Sequence, residues 1–252
     1  MPAAYDQYDY EAYWEGREYE HDSEVIAIKS FLEKIPEIGK TLEIGGGFGR
    51  HVPNYIYRAK KVILTDPSAK NLSVALKNLG NYENLEIKQM KMETATRKFR
   101  KGSFNLVIMI RVMHHLTDAD KVFTSLARLL EPGGYLIFEF ANKIHFKSII
   151  QNLIRGDLTY VMDTTPIDRR SKKMVKRGTL PFINYHPSEI EEGLAKQGFK
   201  IVEKRSVSNV RNPFFKKYLP ESIMLSLERL AQKVLGYVNF GPSIFILARK
   251  RG

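Results

Sequence analysis

Apolar positions along the chain switch repeatedly between the period of a helix and that of a strand. Val25, Ile26, Ile28, Phe31, Leu32 and Ile35 recur at helical spacing over 23–35, with Asp22 or Ser23 placed as the cap. Leu42 and Ile44 are then strand residues in front of three alternate glycines, Gly45, Gly47 and Gly49. That order predicts a strand, a sharp glycine turn and a helix over about 49–58, its N-terminal N–H groups turned towards a ligand. The runs 61–65 and 103–110 are almost wholly apolar, as in strands covered on both faces. Shorter strands are predicted at 85–89 and 135–140, and helices at 69–79 and 118–130, the second broken by Pro132-Gly133-Gly134. A final apolar, β-branched strand is predicted at 243–249. Strand and helix alternating in this way predict an α/β layer structure.

Three regions fall outside that alternation. Residues 1–20 place Tyr5, Tyr8, Tyr10, Tyr13, Trp14 and Tyr19 among acids, too aromatic for a disordered tail, and predict an ordered arm packed on the domain. Residues 143–177 carry nine Lys or Arg and three Asp, including Arg169-Arg170-Ser171-Lys172-Lys173. Residues 207–241 contain a helix over 221–235 whose Ile223, Leu227, Leu230 and Val234 form one stripe. The stripe is expected to pack on the domain or on a partner subunit, with a membrane surface or a greasy substrate as the alternative. No repeat or low-complexity linker divides the chain. One domain over 1–252 is expected, with an arm and helix at 1–36 and a lid built from 143–184 and 207–241.

Composition narrows the chemistry. The absence of cysteine excludes disulfides, thiolate catalysis and cysteine metal sites, and six scattered histidines suggest no metal. No apolar run is long enough to span a bilayer, and a cytoplasmic protein is expected. The net charge of +12 is uneven, because residues 1–24 hold eight acids and one base, leaving the remainder near +19. An acidic arm against a basic body, or a basic face for an anionic partner, follows from that asymmetry.

The glycine turn carries the sharpest signal. A dinucleotide fingerprint, G-x-G-x-x-G, would need a third glycine where Arg50 stands. The stretch reads E-x-G-x-G-x-G instead, from Glu43 through Gly45, Gly46, Gly47 and Gly49, and resembles motif I of the class I S-adenosylmethionine (SAM)-dependent methyltransferases. Asp66 ends the second strand, where a carboxylate can accept two hydrogen bonds from a vicinal diol; the other reading is a helix cap. Further on, Ser103-Phe104-Asn105-Leu106-Val107, the His114-His115-Leu116 turn and a helix ending Leu129-Leu130-Glu131-Pro132-Gly133-Gly134 stand in one order. This run resembles the ubiquinone/menaquinone-biosynthesis-like (type 11) methyltransferase domain over about 38–141, and more loosely over 185–205. Asn105 stands where that family commonly has Asp.

The resemblance implies a Rossmann-like, doubly wound sheet of seven strands in the order 3-2-1-4-5-7-6, the last antiparallel, with helical lid insertions. It implies SAM as cofactor. The glycine loop would lie under its methionine part, Glu43 near its amino group, Asp66 on the ribose and Pro67 on the adenine face. Glu93 would meet the adenine amino group, in a place where the family usually has Asp. Ile110, with Arg111, would lie near the sulfonium, and Arg17 in the arm would reach the cofactor carboxylate. His114 or His115 is the candidate base, histidine being suited to proton transfer near neutral pH, with Glu139 or Asn142 placed to orient it. The acceptor is expected to be a small or lipid-like molecule methylated at O, N or C. An RNA, such as tRNA, held by the basic insertion, is the alternative; a SAM-binding partner protein without catalysis is a third. A monomer or homodimer is expected, with peripheral membrane contact open.

Overall fold

The computed structural model describes residue 6, residues 10–211 and residues 213–252, so Tyr5 and Tyr8 of the arm lie outside the described residues. A seven-stranded sheet forms the centre. Its strands are β1 (Ile38–Ile44), β2 (Ala59–Asp66), β3 (Leu85–Gln89), β4 (Phe104–Met109), β5 (Leu130–Ala141), β8 (Phe199–Val207) and β9 (Ser243–Lys250), in the order β3-β2-β1-β4-β5-β9-β8. Two-residue strands β6 (Ile167–Asp168) and β7 (Ile183–Asn184) pair separately within the basic insertion. With that small hairpin set aside, the order is the one the resemblance implies. β9 runs antiparallel to both β5 and β8.

The apolar runs become buried strands because neighbouring side chains feed opposite layers. On β4, Val107 and Met109 join the layer that also holds Val122, Phe123 and Leu126 of α4 (Ala119–Leu129) and Ile190 and Leu194 of α7 (Pro187–Lys196). Leu106, Ile108 and Ile110 join the other layer with Ile28 and Phe31 of α1 (Glu18–Leu32) and Leu72 and Ala75 of α2 (Ala69–Leu79). Each such side chain contributes roughly 1.5–3 kcal/mol on burial, which makes the sheet a rigid platform for the loops at its carboxyl edge. At Glu131 to Gly134 the β4–β5 register shifts, Phe104 facing Leu130 and Leu106 facing Tyr135, so Pro132 and Gly133 form a bulge at the start of β5.

Three expectations are corrected. No α-helix follows the glycine turn; residues 49–58 instead form 3-10 turns at Val52–Asn54 and Ile56–Arg58. Gly49 has φ of +78°, and Pro53 lacks the N–H that an α-helix starting there would need for its bond to Gly49. No helix N-terminus therefore points at the glycine loop from that side. The second correction concerns α9 (Glu221–Tyr237). Its apolar stripe does not pack on the domain; Ile223, Leu227, Leu230 and Val234 are all exposed. The opposite side, Met224, Glu228, Gln232 and Gly236, is buried against α1 and β8. Gly236 lies under the Lys204 carbonyl, where a Cβ would clash. α1 also starts earlier than the spacing predicted, at Glu18, with Glu18 and Glu20 in its first turn.

Candidate active site

The site forms where β1, β2 and β4 end. Gly45 and Gly46 both donate their N–H groups to the Thr65 carbonyl, at 2.7 and 3.1 Å, which ties the glycine loop to the end of β2. A side chain on Gly45 would strike Val112, one on Gly46 would strike Leu64 and one on Gly49 would strike Leu79. These three are therefore required by packing. Gly47 differs: it has φ of +58°, and the nearest atom to a Cβ there is the Tyr10 ring at 3.3 Å, across the mouth of a cavity. That cavity holds about 300 Å³, and Gly45 and Gly47 both line it.

Asp66 is the polar anchor of the cavity wall. Its Oδ2 accepts the Gly47 N–H at 2.9 Å and its Oδ1 accepts the Ser68 N–H at 2.8 Å. Burial raises its pKa, against those two backbone donors and Asn71. The cap of α2 is Ser68, whose Oγ accepts the Asn71 N–H at 3.1 Å, so Asp66 is not the N-cap. Pro67, Asn71, Met90 and Met92 continue the wall, and Glu93, in the first turn of α3 (Met92–Lys98), stands at its rim.

The far wall is the turn after β4. Arg111 sits there with φ of 60°, a left-handed conformation unusual for a side-chain-bearing residue. Its N–H donates to Glu139 at 2.8 Å, and Ser243 donates to the other oxygen of that carboxylate at 2.5 Å. Its guanidinium reaches Glu24 at 2.7 Å. Arg50 and His51 bond the same carboxylate. Burial would raise the Glu24 carboxyl, but Arg111, Arg50 and His51 outweigh it and hold it well below the usual range. Burial, with Arg50, lowers His51 to about 3, so its Nε2 carries the proton donated to Glu24.

The two histidines occupy a 3-10 turn, Met113–His115, and separate in environment. His114 is buried, its ring 4.0 Å from that of His115 and 4.8 Å from that of Phe182, and burial lowers its pKa well below the usual value. His115 lines the cavity. Its Nδ1 lies 2.8 Å from the Pro181 carbonyl, which can only accept, so Nδ1 holds the proton and Nε2 is the basic nitrogen. Burial lowers the His115 pKa too, partly countered by the Pro181 bond. Neither Glu139 nor Asn142 orients these rings: Glu139 holds Arg111 and Ser243, and Asn142 holds the Asn239 and Gly241 carbonyls.

The arm closes over this ground. The Asp6 carboxylate accepts from Ser68 Oγ at 2.7 Å and from the Lys70 N–H at 3.3 Å, at the start of α2. Tyr10 packs edge-on to Phe48, and Arg50 lies 3.7 Å from the Trp14 ring centroid. Of the residues singled out from sequence, Gly45, Gly47, Asp66, Pro67, Glu93 and His115 meet at one cavity. Glu43 lies behind the loop, accepting from Tyr55 Oη, with its pKa pushed up by burial to about 7. Ile110 is buried in the core, and Arg17 lies 4.1 Å over the Tyr13 ring instead of in the cavity wall. Tyr10, Asn71, Val112 and Leu180 also line the cavity. The aromatic arm gave a signal for Tyr10; Asn71 stands in the first turn of α2, five residues after Asp66, but nothing local marks Leu180. Among the described residues no group of three or more His, Asp or Glu is placed to hold a metal ion.

Comparison with known proteins bears on the fold and the family. A family model described as a methyltransferase domain, Methyltransf_11, matches residues 42–138. The chain is 32% identical over 111 residues to the ubiquinone/menaquinone biosynthesis C-methyltransferase UbiE of Pseudoalteromonas translucida, covering 41% of this chain and 43% of that one. It is 26% identical over 201 residues to the ubiquinone biosynthesis O-methyltransferase of Dechloromonas aromatica, covering 79% and 80%. It spans less than half of several curated relatives and only 3% of a hybrid PKS-NRPS synthetase from Xenoacremonium sinensis. Among solved structures, an S-adenosylmethionine-dependent methyltransferase from Mesorhizobium loti superposes with a TM-score of 0.57 at 15% identity, covering 88% of this chain and 96% of that one. A chain of the Haloferax volcanii complex containing the Trm112 methyltransferase activator gives 0.63 at 12% identity, covering 99% and 97%. At such identities the superpositions establish the fold.

Proposed function

We propose that this chain, which belongs to the class I SAM-dependent methyltransferases through residues 42–138, methylates a small or lipid-like acceptor at O, N or C within the cavity beside the glycine loop. The residues present suit the cofactor. The space that a Cβ on Gly47 would take is bounded by the Tyr10 ring of the arm, so a ligand that displaced that ring would meet bare backbone, and Asp66 accepts from two backbone N–H groups and Asn71 out of about four acceptor positions, which leaves capacity for a ribose hydroxyl. In this reading the backbone of Gly45 to Gly47 cradles the methionine part, Asp66 takes the ribose hydroxyls, Pro67 and the two methionines flank the adenine, and Glu93 meets its amino group. When bound, SAM supplies an electrophilic methyl group on a positively charged sulfur. The chain supplies position, a dry wall and a proton acceptor.

The acceptor enters from the side of His115. The observation that carries the small-molecule reading is the character of that wall: Val112, Leu116 and Leu180 are apolar, and the charge of Arg111 is matched by Glu24. His115 Nε2 would take the acceptor's proton as the methyl is transferred, with Pro181 holding the ring through Nδ1. Residues 143–184 act as the lid, since Pro181 fixes His115 and Leu180 completes the wall. The quinone-biosynthesis names of the relatives favour a lipid-like acceptor with a phenolic oxygen or an activated ring carbon.

RNA is the competing acceptor, favoured by the exposed Lys172, Lys173, Lys176 and Arg177 on and beside α6 (Lys172–Lys176). Transfer of label from methyl-labelled SAM into a lipid extract and into total RNA, compared side by side, separates the two. Label in the lipid fraction is expected. Nanomolar tRNA binding at physiological salt, lost when those four residues are neutralised, would make RNA the acceptor, because phosphate contacts release counterions and steepen the salt dependence.

A further inference from the structure

We propose that the outer face formed by α9 and α5 (Phe146–Ile154) is a docking surface for an anionic lipid bilayer. α9 is held with its polar side inward. The buried Glu228 carboxylate accepts from Tyr19 Oη at 2.8 Å, from the Ser208 and Asn209 N–H groups at 2.8 and 3.0 Å, and from Asn209 Nδ2 at 3.0 Å. Gln232 donates to the Ser23 carbonyl at 2.8 Å. Turning the apolar stripe inward would break all five bonds and leave the buried Tyr19 hydroxyl and Ser208 N–H without the acceptor they use here, so the stripe is fixed outward. Leu230 is 77% exposed, Val234 66% and Tyr237 75%.

The stripe continues onto a second helix. Phe146 stacks on Phe240 just beyond α9, with centroids 4.9 Å apart, and its N–H donates to the Phe240 carbonyl at 2.8 Å. From there Ile150, Leu153 and Ile154 of α5 are exposed. The two exposed apolar faces are thus joined through Phe146 and Phe240, and exposed apolar side chains gathered on linked helices mark an interaction site.

Charge selects the occupant. Across 146–155 and 221–238 the exposed charges are Lys147, Arg155, Arg229 and Lys233 against Glu221 alone. A second copy meeting this face through a two-fold axis would bring the same cations against themselves, on chains of net charge +12 each. An anionic bilayer accepts both parts: the apolar side chains enter the headgroup–acyl boundary, and the Lys and Arg stems lie along it with their charges in the headgroups. The inference rests on the outer surface alone and holds whatever acceptor the cavity takes.

Sedimentation of the full chain with phosphatidylcholine vesicles, with and without phosphatidylglycerol, tests it. Binding is expected to the anionic vesicles, falling by roughly fivefold for each cation screened or removed. The paired substitution Leu230→Glu/Val234→Glu should lower it at least about tenfold, since each charge would be carried into the interface. Both positions are exposed, so the thermal transition should not move; Ile154→Glu on α5 serves as a second variant should α9 be disturbed. Equal binding to neutral vesicles, no binding to anionic vesicles at low salt, or binding indifferent to the substitutions in both helices would each overturn the proposal. So would a dimer in light scattering that the α9 pair dissolves, since the face would then belong to a second copy.

Discussion

Glu43→Gln should make the protein more stable at alkaline pH and almost unchanged at acid pH. The carboxyl is buried behind the glycine loop and bonded to Tyr55; burial raises its pKa from 4.5 to about 7, against the pull of Tyr55 and Arg50 and with the help of Asp66. Between those two values the folded chain keeps a proton that the unfolded chain has released. Stability therefore falls as pH rises through that window and levels off above it. One pKa unit corresponds to about 1.4 kcal/mol, so from pH 5 to pH 8 the wild type should lose about 2–3 kcal/mol relative to the variant. The depressed histidines act in the opposite sense, losing stability as pH falls, but they are common to both proteins and cancel in the difference. Urea unfolding of both proteins at several pH values measures it. A difference that changes by less than about 0.5 kcal/mol over that range would refute the reasoning, because Glu43 would then titrate as an exposed carboxyl. The same group tests its role towards SAM. If the cofactor's ammonium reaches Glu43, binding near pH 6.5 should release a proton in the wild type, seen as a buffer-dependent calorimetric enthalpy, and none in the variant.

Gly47→Ala should leave the fold largely intact, at a cost of about 1 kcal/mol for its left-handed φ, while SAM binding falls at least about tenfold in calorimetry; unchanged affinity would show that the Tyr10 side of Gly47 holds no ligand. Asp66→Ala should weaken SAM binding by roughly 1.5–3 kcal/mol and also lower the unfolding midpoint, because the Gly47 and Ser68 N–H groups lose their acceptor. Normal SAM affinity with only the midpoint lowered would make Asp66 a structural tie. His115→Ala should cut turnover by roughly 10²–10⁴ with SAM affinity kept, and wild-type turnover should fall only as pH drops below the usual histidine range, burial having lowered that pKa. His114→Ala should instead reduce stability, and a pattern reversed between the two would transfer the role of base to His114.

The sheet was legible because both of its faces are covered. Strands such as 103–110 must then be almost wholly apolar, and their sequence carries the signal unaided. The turn chemistry was legible for the same local reason: Gly45, Gly47 and Asp66 meet because strands β1 and β2 are adjacent and parallel. The segment 49–58 misled because the helix was expected from the order of strand and glycine turn, while one proline and one left-handed glycine decide the backbone. α9 misled more deeply. Periodicity reports that one side of a helix is apolar, not which side faces the body, and Glu228 and Gln232 acquire partners only from residues as distant as Tyr19 and Ser23. Leu180 and the Pro181 carbonyl reach the site from an insertion with no pattern of its own.

The arm makes exchange at the site a question of time as well as affinity. Tyr10 lies across Gly47, and Trp14 is stacked on Arg50, which shares Glu24 with the Arg111 that bounds the cavity. Under the proposed function, a ligand taking the Tyr10 side of Gly47 would have to displace that ring to enter and would leave only when the clasp opened again. Its dissociation rate is then set by the frequency of a local unfolding event at the N-terminus, and truncating the arm should speed both entry and exit far more than it changes their ratio.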